Sequence, residues 1–266
     1  MQQNAAPTRL ERLEHFLLRL IQQPGADQGH TRDIRLLLWF LEQLSRLFRA
    51  IVQTRLFLYD VGILPRFHLG CQIISVGNVT VGGTGKTPMC GWLCRRLLDR
   101  GLKPAVLSRG YMATQEGLAD EMLMLSRQFP QAILVAHPDR YKAGCMATEH
   151  YGAEAVILDD GFQHRRMGRD LDLVLIDATR PFGFGHVLPR GLLREPLRGL
   201  ARANAVVLTR CDHAGAERVA GLARDIQRLH PEVPVVRAVH RPCGFTGLDG
   251  GPVPMPPAGR IGCLAG

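Results

Sequence analysis

The sequence predicts an α/β fold in which a mostly parallel sheet is flanked by helices. Short apolar runs alternate with helical patterns along the middle of the chain, as in βαβ units. A glycine-rich segment lies between the first apolar run and the helix that follows it. The predicted strands are residues 72–76, 104–108, 133–136, 155–158, 173–176 and 205–208, and the predicted helices between and after them are residues 89–100, 141–151 and 214–229.

Composition limits the class of protein. The chain has 266 residues with 46% hydrophobic content, which is enough for a large buried core. Seven cysteines without a pairing pattern predict a reducing compartment, and residues 1–8 lack the features of a signal peptide, so we expect a cytoplasmic location. The net charge of +9 is compatible with nucleic acid, an anionic membrane or an acidic substrate. No aromatic and basic recognition motif supports nucleic acid.

The glycine-rich segment, residues 75–88, reads SVGNVTVGGTGKTP and predicts a phosphate-binding loop. Glycines let backbone N–H groups face phosphate oxygens, the lysine reaches the β- and γ-phosphates, and the threonine hydroxyl reaches Mg²⁺. Thr80 departs from the glycine that opens the strict motif, and the alternative is a merely flexible loop. We predict a P-loop NTPase-like fold whose nucleotide contacts are Thr80, Val81, Gly82, Gly83, Thr84, Gly85, Lys86 and Thr87.

Carboxylates follow later strands. Asp159 and Asp160 end an apolar strand, where P-loop proteins hold Mg²⁺, although capping of a turn is the alternative. Asp177 ends the next strand and ranks second. Asp120 and Glu121 begin a predicted helix, residues 120–127, where helix capping is the ordinary interpretation. Phosphoryl transfer to a hydroxyl nevertheless needs a carboxylate that accepts its proton.

Basic residues lie near these carboxylates. His164, Arg165 and Arg166 follow the second aspartate and can pair with a substrate phosphate, but solvated side chains are an equally good interpretation. Residues 209–212 (TRCD) resemble the guanine-reading tetrapeptide of GTPases with arginine in place of lysine, and a cap at a strand end explains them better. We therefore favour ATP over GTP.

The N-terminal region predicts amphipathic helices. In residues 33–58 one stripe is apolar (Leu37, Phe40, Leu44, Phe48 and Ile51) and the opposite side is charged (Arg35, Glu42, Arg46 and Arg49). Leu10, Leu13, Leu17 and Leu20 suggest a second helix. The charges exclude a comfortable membrane span. The pattern leaves open whether these helices lie in a membrane interface or pack on the core.

Several separated blocks together resemble one family. They are residues 75–88, SRGY at 108–111, Asp120 with Glu121, Asp139 with Arg140, LDDGFQH at 158–164 and RPFGFGHVLPRGLLRE at 180–195. The chain resembles the tetraacyldisaccharide 4'-kinases, the lipid A 4'-kinases of Gram-negative envelope synthesis. The resemblance implies Mg²⁺-dependent transfer of the ATP γ-phosphate to the 4'-hydroxyl of an acylated glucosamine disaccharide 1-phosphate. It also implies a peripheral location at the cytoplasmic face of the bacterial inner membrane, and we expect a monomer.

The resemblance also assigns roles to residues. Lys86 and Asp120 become catalytic, with Asp120 as general base; Thr87, Asp159, Asp160 and Glu121 serve the metal; and Arg109, His164 and Arg165 are substrate candidates. Ala119 and Phe184 stand where many members have glycine and asparagine. The other function that we consider is a membrane-recruited P-loop ATPase switch that acts on a protein partner.

The expected organisation has three parts. Membrane-associating helices occupy residues 1–60, the kinase core residues 61–240, and a linker with the start of a C-terminal lobe residues 241–266. Residues 260–266 resemble the start of a later strand of the family, so we expect this chain to be truncated at Gly266 and to lack the C-terminal lobe, which in the family carries a histidine thought to assist the base.

Overall fold

The computed structural model of the chain describes residues 32–110, 120–241, 245–246 and 251–253. Over these residues the chain forms a seven-stranded parallel sheet in the order β3-β2-β4-β1-β5-β6-β7. The strands are β1 (Gln72–Asn78), β2 (Pro104–Ser108), β3 (Ile133–Ala136), β4 (Ala155–Asp159), β5 (Leu171–Asp177), β6 (Ala205–Thr209) and β7 (Val235–Arg237). A small antiparallel pair, β8 (Phe245–Thr246) and β9 (Pro252–Val253), follows.

Helices cover both faces of this sheet. They are α1 (Arg32–Asp60), α2 (Lys86–Leu98), α3 (Asp120–Gln128), α4 (Arg140–Cys145), α5 (Cys211–Ala214) and α6 (Ala216–Leu229). A π-helical turn, Met146–His150, continues α4, and 3₁₀ turns occupy Gly183–Gly185 and Leu197–Arg202. Apolar side chains of α2 and α3 pack on one face of the sheet, while those of α4 and α6 pack on the other. Burial on both faces explains why the strands are almost continuously apolar.

The predicted fold class is confirmed, and all six predicted strands form, each within three residues of its predicted ends. The helix predicted at residues 89–100 begins three residues earlier, at Lys86, because Gly85 in the left-handed region caps it. The prediction of one α-helix over 141–151 was wrong beyond Cys145, where the helix becomes π-helical. There the Tyr151 N–H donates to the Met146 carbonyl, five residues back, at 3.3 Å. Helix 214–229 is divided by Gly215, whose φ is +80°.

The sheet topology sets the position of the phosphate loop. The chain runs from central β1 outward to β2 and β3, returns to β4 beside β1, and then crosses to β5 on the other side of β1. Val76 of β1 pairs with Asp159 of β4, so the loop after β1 and the aspartates after β4 leave the same edge of the sheet. Ligands of open α/β sheets bind at such a switch point, outside the carboxyl ends of the strands.

Helix α1 packs on the core through one side and leaves another side exposed. Leu38, Leu41 and Ser45 are buried, and the Ser45 hydroxyl donates to the Val187 carbonyl at 2.8 Å. Part of the predicted apolar stripe is exposed, since Phe40 and Ile51 are 53% and 59% exposed. Across the described ranges, no helix has the length and apolar content needed to cross a bilayer.

The described residues leave three further expectations untested. The second amphipathic helix, with Leu10, Leu13, Leu17 and Leu20, lies outside the described residues. The three-part division at residues 60 and 240 stays a prediction, as does the truncation of the chain.

A close backbone approach holds the two motif loops together and can be tested. A Cβ on Gly77 would lie 2.5 Å from Phe162 Cβ and 2.6 Å from Phe162 N. We expect Gly77→Ala to lower the free energy of unfolding by about 1 to 3 kcal/mol, measured by urea denaturation, because the backbone after β4 must move. Gly221→Ala in α6, where a Cβ meets nothing within 4 Å, should instead be neutral or stabilising. Equal stability of wild type and Gly77→Ala would contradict the described contact.

Candidate functional site

The loop between β1 and α2 has the conformation of a phosphate cradle. Gly82 and Gly85 adopt φ values of +113° and +88°, which side-chain-bearing residues rarely adopt. Helix α2 begins at Lys86, so its unpaired N–H groups face the loop. The Thr209 hydroxyl fixes the loop from β6 by donating to the Thr84 carbonyl at 3.0 Å. The predicted nucleotide residues therefore form one continuous turn at the N-terminus of a helix.

A second segment, residues 192–194, is hydrogen-bonded to the backbone at the start of the cradle. Thr80 and Leu193 form an antiparallel bridge, and the Val81 N–H donates to the Leu192 carbonyl at 2.8 Å. The Arg194 N–H donates to the Val79 carbonyl, also at 2.8 Å. We call residues 192–194 the clamp. It orders the part of the loop where Thr80 replaces the glycine of the strict motif.

Asp160 is the acidic centre of a cationic cluster. Both of its carboxylate oxygens accept from Arg194 Nη1, at 2.8 and 2.7 Å, and Lys86 Nζ lies 3.6 Å from Oδ1. Burial opposes ionisation of Asp160, but the hydrogen bond from Arg194 and the charges of Lys86 and Arg140 outweigh it and lower its pKa. Asp160 is therefore ionised and ties the clamp to the lysine of the cradle.

Asp159 stands in the opposite electrostatic situation. Burial, with the neighbouring charges of Glu121 and Asp160, raises the Asp159 pKa to about 6 despite Lys86 and Arg140. Arg140 donates to the Asp159 backbone carbonyl at 2.6 Å rather than to its carboxylate. The carboxylate accepts only from the Cys90 thiol, at 3.8 Å, among the described residues. Asp159 is thus a half-buried carboxylate with negative neighbours and no cation bound to its carboxylate oxygens in the described part of the chain.

A cleft of about 500 Å³ opens beside these aspartates. Its lining divides into two kinds. Its apolar lining comes mainly from α1, with Phe48, Ile51, Val52 and Leu56 joined by Val81 and Leu188. Its polar lining is Arg55, Arg109, Arg140, Asp160, Gln163, His164, Arg194 and Glu195. Four arginines face two carboxylates there. The cleft therefore suits a ligand that has both apolar and anionic parts.

The predicted substrate residues separate in the structure. His164 and Arg109 line the cleft. Burial and the charges of Arg140, Arg169, Arg109 and Arg55 lower the His164 pKa to about 4, so its ring is neutral near pH 7. Arg165 points elsewhere, since its guanidinium pairs with Asp60 at 2.8 Å beneath α1 and it does not line the cleft.

The remaining predicted carboxylates occupy different surroundings. Asp120 is the first residue of α3, and its exposed neighbour Glu121 lies near enough to influence Asp159. Asp177 is held by Thr179 and by an ion pair with Arg210, which lies in the TRCD tetrapeptide. Its carboxylate therefore serves the local structure of the β5 and β6 ends.

Sequence reasoning gave no role to several residues that the structure brings to the cleft, among them Arg140, Gln163, Arg194 and Glu195. All four lie in blocks that carry the family resemblance, which is the one signal that could have found them. Gln163 donates to the Asn78 carbonyl at 2.7 Å, joining the two motif loops.

Unpartnered polar atoms also collect here. Asn78 Oδ1, Thr84 Oγ1, Arg140 Nε and His164 Nε2 are buried without a hydrogen-bond partner in the described chain. Native proteins leave few such atoms, and those that occur concentrate at functional sites.

The environment of Asp159 predicts that its ionised carboxylate lowers the stability of the fold, although it favours binding of a metal ion. A carboxyl whose folded pKa is raised stabilises the fold below its unfolded pKa of about 4, and loses that contribution as pH rises through about 6. We therefore expect Asp159→Asn to raise the free energy of unfolding at pH 8, in EDTA, by about 1 to 3 kcal/mol. The gain should shrink as pH falls toward 4, measured by urea denaturation at several pH values.

The matched control is the exposed Asp99, whose change to Asn should alter stability by less than about 0.5 kcal/mol. Added Mg²⁺ with ATP should raise the melting temperature of wild type more than that of Asp159→Asn. A loss of stability in Asp159→Asn at pH 8 would contradict this description of the site.

Known proteins of one family resemble this chain over most of its length. A family model described as Tetraacyldisaccharide-1-P 4'-kinase matches residues 37–260. The curated Tetraacyldisaccharide 4'-kinase of Syntrophus aciditrophicus is 41% identical over 85% of this chain and 66% of its own length. That of Anaeromyxobacter sp. (strain K) is 40% identical over 82% of this chain and 61% of its own length.

A solved structure extends the agreement to three dimensions. The "apo" form of LpxK from Aquifex aeolicus in complex with ATP superposes with a TM-score of 0.67 and 33% identity, covering 82% of this chain and 70% of that one. The chain thus spans about two thirds or less of the curated relatives that it matches. On the family match, the sequence identities and this shared fold, the chain belongs to the tetraacyldisaccharide-1-P 4'-kinase family.

Proposed function

We propose that this protein transfers the γ-phosphate of ATP to the 4'-hydroxyl of a tetraacyldisaccharide 1-phosphate in lipid A biosynthesis. One observation carries the proposal: a phosphate cradle, a carboxylate pair and a cleft lined by apolar side chains and arginines share a single edge of the sheet. ATP appears in the name of the related Aquifex aeolicus structure, and the substrate follows the name of the matching family.

The nucleotide half rests on the P-loop and its neighbours. Backbone N–H groups of residues 82–87 and the Lys86 ammonium would neutralise the phosphates. Lys86 already lies 3.6 Å from Asp160, so an incoming phosphate would compete with that aspartate for the same cation. Arg194 would remain on Asp160 and keep its carboxylate compensated when Lys86 turns to the nucleotide.

The donor set fits Mg²⁺. No cluster of three or more His, Cys, Asp or Glu side chains suited to a metal occurs in the described ranges. Mg²⁺ in nucleotide sites usually takes only one or two carboxylates, and phosphate oxygens and water supply the other ligands. Asp159, the Thr87 hydroxyl and Glu121 would provide hard oxygen ligands, and Asp159 has no cation bound to its carboxylate among the described residues; Asp160 is the less available second ligand. When bound, the ion would draw charge from the β- and γ-phosphates.

The acceptor half rests on the cleft. Acyl chains would pack along Phe48, Ile51 and Val52 of α1, while the anionic sugar end would face the arginines. Arg109 and the neutral His164 are proposed substrate contacts. Arg165 is left out of this assignment because Asp60 holds it away from the cleft.

Asp120 is the proposed general base, on the strength of its position in the family blocks and at the start of α3. Glu121, the next residue, acts electrostatically on Asp159. A carboxylate here would take the hydroxyl proton as the oxygen attacks the γ-phosphorus in line.

A peripheral location at the cytoplasmic face of the inner membrane follows from the lipid acceptor and from α1. The outward side of α1 exposes large apolar residues, among them Leu36, Trp39, Phe40, Leu47, Ile51 and Phe57. Such a face can enter the headgroup boundary of a membrane. An ATPase switch that acts on a protein partner is not favoured, because the chain belongs to a kinase family.

The nucleotide and base assignments predict loss of phosphoryl transfer. Lys86→Ala should lower transfer of labelled phosphate from ATP to the acylated disaccharide by about 10² to 10³, because one charge-stabilising donor is lost. Asp120→Ala should lower it by about 10² to 10⁴ while ATP affinity stays near that of wild type. The matched control is Lys103→Ala, remote from the site at the start of β2. Label transfer that survives both site variants would sink the assignment.

The exposed side of α1 predicts binding to vesicles. The double variant Trp39→Glu, Leu47→Glu replaces residues that are 62% and 59% exposed, so folding should be little affected. We expect its affinity for vesicles with anionic phospholipid to fall about tenfold or more in co-sedimentation, with a higher KM for the lipid acceptor and an unchanged KM for ATP. Trp92→Glu, an exposed tryptophan on α2, is the control. Unchanged vesicle binding would remove α1 from the membrane assignment.

A further inference from the structure

We infer that His240 contacts the nucleoside of the bound nucleotide and forms one wall of the base site. The inference rests on the proposed ATP-dependent function and assigns a residue that lies outside every motif block of the sequence.

The reactive end of the nucleotide is fixed by charge. Asp159 and Asp160 follow β4, and Arg109 follows β2, so these groups lie toward the β4 and β2 side of central β1. The transferring γ-phosphate must be near them and near the cleft. A triphosphate that lies along the cradle therefore directs its nucleoside the other way, toward the ends of β6 and β7.

His240 lies where that direction leads. A Cβ on Gly85, the last glycine of the cradle, would lie 3.5 Å from His240 Cε1 and 3.6 Å from Thr209 Cγ2. The Thr209 hydroxyl in turn binds the Thr84 carbonyl at 3.0 Å. The imidazole thus borders the cradle on the side away from the carboxylates, and the absence of a side chain on Gly85 leaves the space between them open.

The backbone carries His240 to this position. Beyond the end of β7, the Ala238 N–H donates to the Leu208 carbonyl at 2.7 Å, and the Cys211 N–H donates to the Ala238 carbonyl at 3.4 Å. The chain is therefore held against the end of β6 until two residues before His240. The imidazole itself is exposed and makes no hydrogen bond or ion pair with the described residues.

The chemistry of this corner suits a base and ribose better than another phosphate. Arg210, at the end of β6, is already paired with Asp177. An uncommitted aromatic ring can stack on a purine or hydrogen-bond a ribose hydroxyl, and stacking of a base on an aromatic side chain makes a substantial contribution to nucleotide affinity.

The test compares ATP with inorganic tripolyphosphate, which has the phosphates but no nucleoside. Calorimetric titration of the whole chain in Mg²⁺ should give a Kd for ATP about tenfold higher in His240→Ala than in wild type. The Kd for tripolyphosphate should change less than twofold. His240→Phe, which keeps an aromatic ring, should stay within about threefold of wild type for ATP. His150→Ala, at an exposed histidine of the π-helical turn, is the control.

The outcomes separate this inference from the proposed function. If His240→Ala binds ATP as wild type does, or if ATP and tripolyphosphate weaken equally, the inference is overturned and the kinase proposal stands. If wild type binds tripolyphosphate but gains nothing from the nucleoside, the inference fails as well. Lys86→Ala should weaken both ligands. Wild type that binds neither ligand would overturn the nucleotide half of the proposed function together with this inference.

Discussion

The contact between the clamp and the P-loop is the constraint on which the rest of the site depends. Residues 192–194 bond the backbone of residues 79–81 and carry Arg194 to Asp160. The same segment continues back to Val187, where Ser45 of α1 is bonded. One stretch of chain therefore contacts the nucleotide loop, the carboxylate pair and the helix that forms the apolar side of the cleft. The two halves of the proposed reaction meet through it.

Adjacent aspartates acquire different properties from this arrangement. Asp160 gains Arg194 and Lys86, which favour its charged form, whereas burial and negative neighbours oppose the charge on Asp159. Two identical side chains one residue apart thus become a compensated structural anion and an uncompensated one. A bound cation can stabilise the negative charge of Asp159, which no cation of the described chain binds directly. The site holds unfavourable charge where a ligand is expected to relieve it.

The sequence predicted what depends on local pattern and missed what depends on distant contacts. Lys86 and Asp159 were found because each sits at a fixed offset from a strand, and the helix and strand periods revealed the fold. Arg194 lies far along the chain from Asp160, and no local sequence pattern predicts their ion pair. Strand β7 was missed because Val235–Arg237 is short and largely exposed, so it lacks the apolar run that marks the other strands. The exposed stripe of α1 likewise needed tertiary structure, since either side of the helix could have faced the core.

The tight approach of Gly77 to Phe162 has a consequence for how such proteins diverge. With no room for a Cβ between them, the strand before the P-loop and the turn after the aspartates fit only as a matched pair. Neither motif can be grafted alone from a distant relative without displacing the other. The two motifs, although far apart in sequence, should therefore be inherited and exchanged as a single module, and recombination between them should be tolerated only among parents that share this contact.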